Sequence, residues 1–210
     1  MKRVVRFFQW VSLYLTLVST AILITINSTW LYRITIDREH LTTVTTLSKA
    51  ELLQEYHQLL AYLNFPWVRT LSLASFPMSE SGLQHFVDVK QLFFVNHLVF
   101  IITLVPTFWF VYQLVRTRSE WQFIRPMQVA MVIPFVIACL MIAGFDRFFI
   151  TFHELLFRNA DWVFDPRTDP IINVLPETFF FACFVLFFVC LEGFFLLFYL
   201  FGRWSVQRKR

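Results

Sequence analysis

Residues 178–202, TFFFACFVLFFVCLEGFFLLFYLFG, form an apolar run whose one charged residue is Glu192. About 20 apolar residues in a helix are enough to cross about 30 Å of hydrocarbon. Three further runs of this kind occupy residues 7–26, 92–115 and 127–145. The 58% hydrophobic content and the 28 phenylalanines also depart from soluble composition. We therefore predict an all-α membrane protein with four transmembrane helices, in one membrane domain that covers the whole chain.

The distribution of basic residues predicts the orientation in the membrane. Short flanks of the four runs hold ten Lys and Arg residues against one acid, at positions 1–6, 116–126 and 203–210. The connections 27–91 and 146–177 hold eight against twelve acids. Because cytoplasmic flanks are enriched in Lys and Arg, we expect both termini in the cytoplasm, an extracellular cap at 27–91 and an outer loop at 146–177. The first run lacks a small-residue cleavage site, so we expect it to stay as an anchor.

Several common function classes lose their usual signatures in this sequence. Cys139, Cys183 and Cys190 fall inside the apolar runs and have neither metal-ligand spacing nor a disulfide pattern. No CxxC, GxGxxG, P-loop or GxSxG motif occurs. The basic residues are scattered over three short flanks and form no stripe, so the sequence pI of about 9.1 does not indicate nucleic acid. We expect no metal and no cofactor.

The cap is predicted to contain one well-defined helix. Ser48 and Glu51 have the spacing of a capping box, apolar residues follow at helical spacing, and Pro66 ends the run. The preceding stretch 34–46, ITIDREHLTTVTT, is rich in Thr, Ile and Val and favours an extended conformation. Prolines bracket residues 65–77, which favours an irregular segment, and the inner loop 116–126 carries no recognisable chemistry.

Two histidines are predicted to stand at one height outside the hydrocarbon. His85 precedes the membrane edge near Leu92 by seven residues, or about 10 Å of helix. The third run leaves the membrane near Phe145 and continues as DRFFITFHELLF, which puts His153 eight residues, or about 12 Å, beyond that edge. Asp88 lies one helical turn from the first histidine and shares its face. Both histidines therefore fall on the outer side of the membrane, among aromatic residues.

Histidine at such a position has a structural and a chemical interpretation. A lone interfacial histidine usually serves as a hydrogen-bonding group, and aromatic belts are expected there in any case. For two histidines at matched depth, each near a carboxylate, the structural and the chemical interpretations are about equally favoured. Histidine suits proton transfer, because its unperturbed pKa near 6.5 allows acid and base roles at neutral pH. His40 and His57 lie in polar cap sequence, and His97 lies slightly inside the second run. For Glu192 a structural hydrogen bond is favoured over a functional intramembrane acid.

The outer loop DWVFDPRTDP, residues 161–170, is predicted to be rigid. Asp-Pro steps start turns and proline removes backbone donors, so this loop can position side chains without a regular element. Its acids could orient His153 or hold a substrate cation, and nearby arginines could stabilise an oxyanion, but spacing does not choose among them. The candidate orienting and substrate-binding residues are Asp88, Lys90, Arg147, Arg158, Asp161, Trp162, Asp165, Arg167 and Asp169.

The stretches HFVDVKQLF and FHELLFRNADWVFDPRTDPIINVLPETFF, at 85–93 and 152–180, resemble the lipoprotein intramolecular transacylase (Lit) family of low-GC Gram-positive bacteria. The hydropathy plan and the loop lengths are similar over the whole chain. The resemblance implies four spanning helices with an extracellular cap, in the bacterial cell membrane. It also implies two catalytic histidines at the boundary between cap and membrane, and by position these are His85 and His153.

The resemblance further implies the reaction. The sn-2 acyl chain of a diacylglyceryl-modified lipoprotein would move to the amine of its N-terminal cysteine and give a lyso-form lipoprotein. One histidine would take the ammonium proton and the other would serve the leaving sn-2 oxygen. We favour His153 as the base, although the roles could be exchanged. The alternatives are a non-catalytic membrane scaffold or receptor with a partner-binding cap, and a haem b protein that uses His85, His97 or His153 as axial ligands.

Overall fold

A computed structural model describes residues 2–208, whose regular elements are all helices and include no β-strand. The α-helices are α1 (Lys2–Ile26), α2 (Thr29–Arg38), α3 (Leu41–Val44), α4 (Lys49–Asn64), α5 (Glu80–Arg116), α6 (Ile124–Ala143), α7 (Phe145–Leu156) and α8 (Glu177–Gln207). Short 3₁₀ helices occupy Glu120–Phe123 and Pro170–Asn173. Lys209 and Arg210, two of the basic residues used to predict the orientation, lie outside the described residues.

Within residues 2–208, four helices are long and apolar enough to cross a membrane. They are α1, α5, α6 together with the 3₁₀ turn before it, and α8. The prediction of an all-helical chain with four such helices is confirmed. The helices exceed the apolar runs: α5 has 37 residues, or about 55 Å, against about 30 Å of hydrocarbon. Where the bilayer begins and ends along each helix stays a prediction.

Helix α6 does not continue to His153 as the sequence suggested. It ends at Ala143, two residues before the end of the predicted run 127–145, and Gly144 follows with φ −168° and ψ 79°. Glycine loses more conformational freedom in a helix than other residues, which makes it a natural place for an interruption. The separate helix α7 then carries His153, so its position cannot be counted from one continuous helical rise.

Two predictions for the cap sequence are confirmed and one is wrong. Helix α4 begins after Ser48, which forms the predicted capping box with Glu51, and it ends before Pro66. Residues 34–46 are not extended, because they belong largely to α2 and α3. Leu31, Tyr32, Thr35 and Ile36 form one buried helical face there, and that burial outweighs the strand preference of Thr and Ile. Residues 65–79 have no regular helix, as predicted.

The chain divides into two compact units. The first consists of the described residues of Met1–Ile24, Asn96–Gly144 and Val185–Arg210. Its core is apolar and includes Leu13, Leu17, Ala21, Phe110, Leu114, Phe123, Met127, Leu191 and Phe195. Buried hydroxyl pairs link α1 to α5, where Thr16 bonds Thr103 at 2.9 Å and Thr107 at 2.8 Å. Such pairs join helices where water is absent.

The inner loop 116–126 has a polar contact that its sequence did not reveal. The Glu120 side chain is 9% exposed, and one of its oxygens accepts a 2.8 Å hydrogen bond from the Ser205 hydroxyl on α8. At Gly202 an added Cβ would lie 2.9 Å from the Glu120 carbonyl oxygen, so glycine permits the close approach. The loop is therefore fastened to α8 by a buried carboxylate.

The second unit consists of Thr25–Val95 and Phe145–Phe184. It contains α2, α3, α4, α7, the first turns of α5 and of α8, and the outer loop. Tyr32 and Tyr56 stack with their ring centroids 4.2 Å apart, and Phe179 meets both rings edge-on. This aromatic core joins the cap helices to the start of α8. Both histidines singled out above belong to this unit.

Candidate active site

The imidazole rings of His85 and His153 lie side by side. Their centroids are 6.0 Å apart, and the residues are 8% and 9% exposed. Helix α5 supplies His85, and α7, the helix after Gly144, supplies His153. Two unit charges this far apart would repel by about 3 kcal/mol at an effective dielectric constant of about 20. The pair therefore accommodates one additional proton far more readily than two.

The His153 ring has a defined hydrogen-bonding state. Its Nδ1 lies 2.8 Å from the carbonyl oxygen of Phe149, one turn earlier in α7. A carbonyl oxygen can only accept, so Nδ1 carries the hydrogen and Nε2 of the neutral ring has the lone pair. Burial lowers the pKa of His153 from its ordinary 6.5, and the Phe149 hydrogen bond only partly offsets this effect. At neutral pH the ring is thus a neutral base with an available Nε2.

Aromatic rings enclose His153. The Phe149 ring centroid is 4.2 Å from the imidazole, and Trp162 of the outer loop stacks on it at 4.9 Å. Phe152 and Phe157 lie at 5.5 and 5.8 Å. Trp162, a candidate from the sequence, therefore covers the ring directly.

His85 occupies the same aromatic enclosure. Phe157 approaches it edge-on at 4.9 Å, Phe164 at 5.5 Å and Phe86 at 5.9 Å. Its Nδ1 is buried and has no hydrogen-bond partner among residues 2–208. A buried polar group without a partner costs about 1–3 kcal/mol. This atom is consequently suited to meet a polar group of a ligand.

Asp169 holds the outer loop against the start of α5. It is 2% exposed and accepts hydrogen bonds from the Ser79 backbone at 2.8 Å, the Ser79 hydroxyl at 3.0 Å and the Thr168 hydroxyl at 2.7 Å. Burial raises the pKa of Asp169, but the hydrogen bonds from Thr168 and Ser79 together lower it below its ordinary value. An added Cβ at Gly82 would overlap an Asp169 oxygen, so a side chain there would displace the carboxylate.

The carboxylates predicted to orient the histidines make other contacts. Asp88 accepts hydrogen bonds from Gln84 and from Asn159 of the outer loop, both at 2.9 Å. Asp165 pairs with Arg167 at 2.6 Å on the surface. Among the described residues, neither of these carboxylates nor Asp169 hydrogen bonds an imidazole. Asp88 and Asp169 instead join the outer loop to α5, through Asn159 and Ser79.

The basic candidates lie in two different settings. The Lys90 amine donates to the Val68 carbonyl oxygen and stands 4.0 Å above the Tyr62 ring, which ties α5 to the cap. Arg147 and Arg158 are exposed and have no hydrogen bond or ion pair within residues 2–208. Lys90 is therefore part of the scaffold, whereas the two arginines remain open to solvent or to a ligand.

Sequence reasoning missed three residues of this region. Ser79 and Gly82 accommodate Asp169, and Asn159 joins the outer loop to Asp88. The signal for Ser79 was its place just before an apolar helix, where serine commonly caps. Nothing local marks Asn159, whose partner is 71 positions away. Within residues 2–208 no group of three His, Cys, Asp or Glu side chains is placed to hold a metal ion.

Four long apolar helices and a buried, aromatic-lined histidine pair define a multi-pass membrane protein with a site suited to acid-base chemistry. The family model of the lipoprotein intramolecular transacylase Lit matches residues 7–180. The chain belongs to this family, and it is accordingly a membrane acyltransferase.

Solved structures agree with that assignment. The membrane integral lipoprotein intramolecular transacylase Lit from Bacillus cereus matches with a TM-score of 0.93 at 28% identity, over 100% of this chain and 98% of that one. Its H85R and H85A variants match with TM-scores of 0.83 at 28% identity, over 100% of this chain and 94% and 96% of theirs. No curated protein sequence matches.

Proposed function

We propose that this enzyme transfers the sn-2 acyl chain of a diacylglyceryl-modified lipoprotein to the amine of its N-terminal cysteine. The product is an N-acyl, S-monoacylglyceryl lyso-form lipoprotein. The observation that carries the proposal is the paired arrangement of His85 and His153, 6.0 Å apart inside an aromatic enclosure. Membership of the transacylase family supports the same reaction.

In the proposed mechanism His153 is the base. Its Nδ1 is engaged by the Phe149 carbonyl, so Nε2 is the atom that takes a proton from the cysteine amine. The amine nitrogen forms a bond to the ester carbonyl carbon, and the bond from that carbon to the sn-2 oxygen breaks. The proton lost by the amine ends on the sn-2 oxygen, so the reaction is an isomerisation that consumes no water and no co-reactant.

His85 is the proposed donor to the leaving sn-2 oxygen. Its buried Nδ1 has no hydrogen-bond partner in the part of the chain that the structure describes, and a substrate oxygen would supply one. The amine and the ester carbonyl close a transient medium-sized ring, which is entropically unfavourable for a free chain in water. An enclosure of Phe157, Phe164 and Trp162 that holds both ends together would supply the proximity.

The proposed site faces the outside of the cell. The basic flanks favour cytoplasmic termini, which would put residues 27–91 and 146–177 on the outer side. We propose transmembrane segments at 7–26, 92–115, 127–145 and 178–202. Reporter fusions at both termini and after Asp165 test this orientation. A cytoplasmic signal from the fusion after Asp165 would contradict an extracellular site.

Mass spectrometry of a lipopeptide tests the reaction. The chain is expressed in a bacterium whose lipoproteins are only diacylglyceryl-modified, and one lipoprotein is digested to its lipidated N-terminal peptide. We expect an unchanged mass, loss of the reactive α-amine, and a monoacylglyceryl fragment in place of the diacylglyceryl one. An unmodified amine at normal enzyme level would favour a non-catalytic scaffold or receptor instead.

A further inference from the structure

The first unit contains an open groove of about 600 Å³ between α1, α6 and α8. Pockets of about 300–1,000 Å³ hold small organic ligands. Leu191 and Phe195 of α8 form its buried floor, while Val129 and Ile133 of α6 are 68% and 65% exposed along its edge. The walls are almost wholly apolar. The helices that form them, α1, α6 and α8, are all long enough to cross a membrane. The groove therefore opens toward lipid.

A cation stands at one end of the groove. Arg125 lines it beside Pro126, is exposed, and has no hydrogen bond or ion pair within the described residues. The nearby acid Glu120 is buried and bonded to Ser205, so it is not available to the guanidinium. The Tyr14 hydroxyl is also occupied, because it donates to the Pro126 carbonyl oxygen at 3.3 Å. The charge of Arg125 is thus left for a ligand.

The dimensions suit a lipid acyl chain that runs away from this cation. Arg125 and Ile133 are eight residues apart on α6, or about 12 Å along the helix axis. Tyr14 and Val18 on α1, and Leu191 and Phe195 on α8, are each one turn apart and form continuous apolar walls. A ligand that matches this surface has an anionic head and a long hydrocarbon tail.

We propose that the groove binds an anionic phospholipid, with its phosphate on Arg125 and one acyl chain along Val129 and Ile133. The lipid would belong to the leaflet reached by the basic flanks, since anionic headgroups gather around such residues. The groove is formed by residues of the first unit, whereas the histidine pair belongs to the second. The proposal is therefore independent of the proposed acyl transfer.

Native mass spectrometry of the purified full chain tests the site. The protein in detergent is titrated with phosphatidylglycerol and, separately, with phosphatidylcholine of the same acyl chains. We expect a bound phosphatidylglycerol at concentrations where phosphatidylcholine is not retained. Equal retention of the two lipids would overturn the proposal, because an apolar groove alone would then explain binding. This comparison uses the unaltered protein and does not depend on how any variant folds.

Two matched variants test whether Arg125 is the residue that binds the lipid phosphate. Arg125→Gln removes the cation of the groove, and one cation near a headgroup changes lipid affinity by about fivefold. Arg116→Gln removes the same charge from the end of α5, where the arginine is also exposed but does not line the groove. We expect a loss of about fivefold in phosphatidylglycerol affinity for Arg125→Gln and little change for Arg116→Gln. An equal loss of affinity in both variants would mean that only the net charge of the protein matters, and it would overturn the proposed site.

A substitution in the groove wall tests the proposed path of the acyl chain. Ala130→Leu adds bulk at a position that lines the groove. We expect weaker retention of phosphatidylglycerol with long chains and unchanged retention of a short-chain phosphatidylglycerol, whose head still reaches Arg125. Undiminished long-chain binding in this variant would contradict the placement of the tail.

Discussion

The Asp169 carboxylate accepts two hydrogen bonds from Ser79, at 2.8 Å from its backbone nitrogen and 3.0 Å from its hydroxyl. Ser79 directly precedes α5, and His85 follows within its second turn. The contact therefore fixes the helix that carries one histidine to the loop that supplies Trp162 to the other. Asp169 is a positioning residue in this arrangement, since it hydrogen bonds neither ring.

Removing that carboxylate is expected to loosen the site. Asp169→Ala leaves the Ser79 and Thr168 donors without their acceptor, at a cost of about 1–3 kcal/mol in the free energy of unfolding. We expect a lower Tm and reduced transacylase activity in detergent. Asp165→Ala is the matched control, because it removes an exposed carboxylate of the same loop and exposed ion pairs contribute little. Equal effects of the two substitutions would contradict a specific role for Asp169.

Gly82→Ala probes the same contact from the other side. The added Cβ would overlap an Asp169 oxygen, so the carboxylate must move away from its Ser79 donors. We expect activity to fall as it does in Asp169→Ala, and the double variant to lose little more than either alone. Thermal unfolding and the lipopeptide assay measure both quantities. Additive losses in the double variant would show that the two residues act separately.

Single replacements of the histidines test their proposed chemistry. General acid-base groups commonly contribute about 10²–10⁴-fold to rate, so His85→Ala and His153→Ala are each expected to lower kcat by that order. The proteins should reach the membrane at the normal level. His57→Ala is the control, since this residue is an exposed part of α4. Full activity in His153→Ala at normal expression would exclude it as the base.

The pH dependence of activity follows from the state of His153. A base must be neutral to act, so activity is lost as the pH falls through its pKa. Burial lowers that pKa below 6.5, and we therefore expect the acid limb of kcat, in which the amine of the free substrate does not titrate, to have its midpoint below 6.5. Trp162→Ala exposes the ring to water and should move this midpoint up toward 6.5. A midpoint above 6.5 in the unaltered enzyme would contradict a buried, neutral base.

The lowered pKa of His153 also predicts how the stability of the protein depends on pH. His153 binds a proton less readily in the folded protein than in the unfolded chain, so acidification below about 6.5 favours the unfolded state. His153→Phe retains an aromatic ring without this proton site. We expect its Tm to fall less than that of the unaltered protein between pH 7 and pH 5. Parallel Tm curves for the two proteins would show that His153 does not contribute.

The long helices were predictable because a bilayer leaves few choices for apolar chain. Every backbone polar group in the hydrocarbon must be hydrogen-bonded within its own segment. An apolar run of about 20 residues therefore predicts a helix. The capping box of Ser48 and Glu51 was equally local. In contrast, residues 34–46 look extended by composition, and the burial that makes most of them helical comes from tertiary contacts. The interruption at Gly144 was missed although the glycine itself lies within the predicted run.

The two histidines of the site could be predicted from the sequence, but the residues that hold them in place could not. His85 and His153 stood out because their positions outside the apolar runs matched, and the structure brings their rings together. The expectation that an acid of the outer loop touches His153 rested on closeness in sequence. Asp169 instead bonds Ser79, which is 90 positions away, and the ring of His153 is held by a carbonyl of its own helix. Backbone acceptors leave no mark in a sequence.

The fate of the acyl chain separates the proposed reaction from its nearest rivals. Transfer within one lipopeptide keeps the mass constant, whereas a phospholipid-dependent N-acyltransferase would add the mass of an acyl group and a lipase would remove one. A substrate with an ether in place of the sn-2 ester offers the same hydrocarbon but no transferable acyl group. We expect its amine to stay free while the matching ester is fully converted, because the donor and the acceptor must belong to one molecule held between His85 and His153. The assay is run with added phosphatidylglycerol, so that a phospholipid is available to any route that takes its acyl chain from a second molecule. N-acylation of the ether substrate under these conditions would mean that the chain came from another molecule, and the intramolecular mechanism would have to be abandoned.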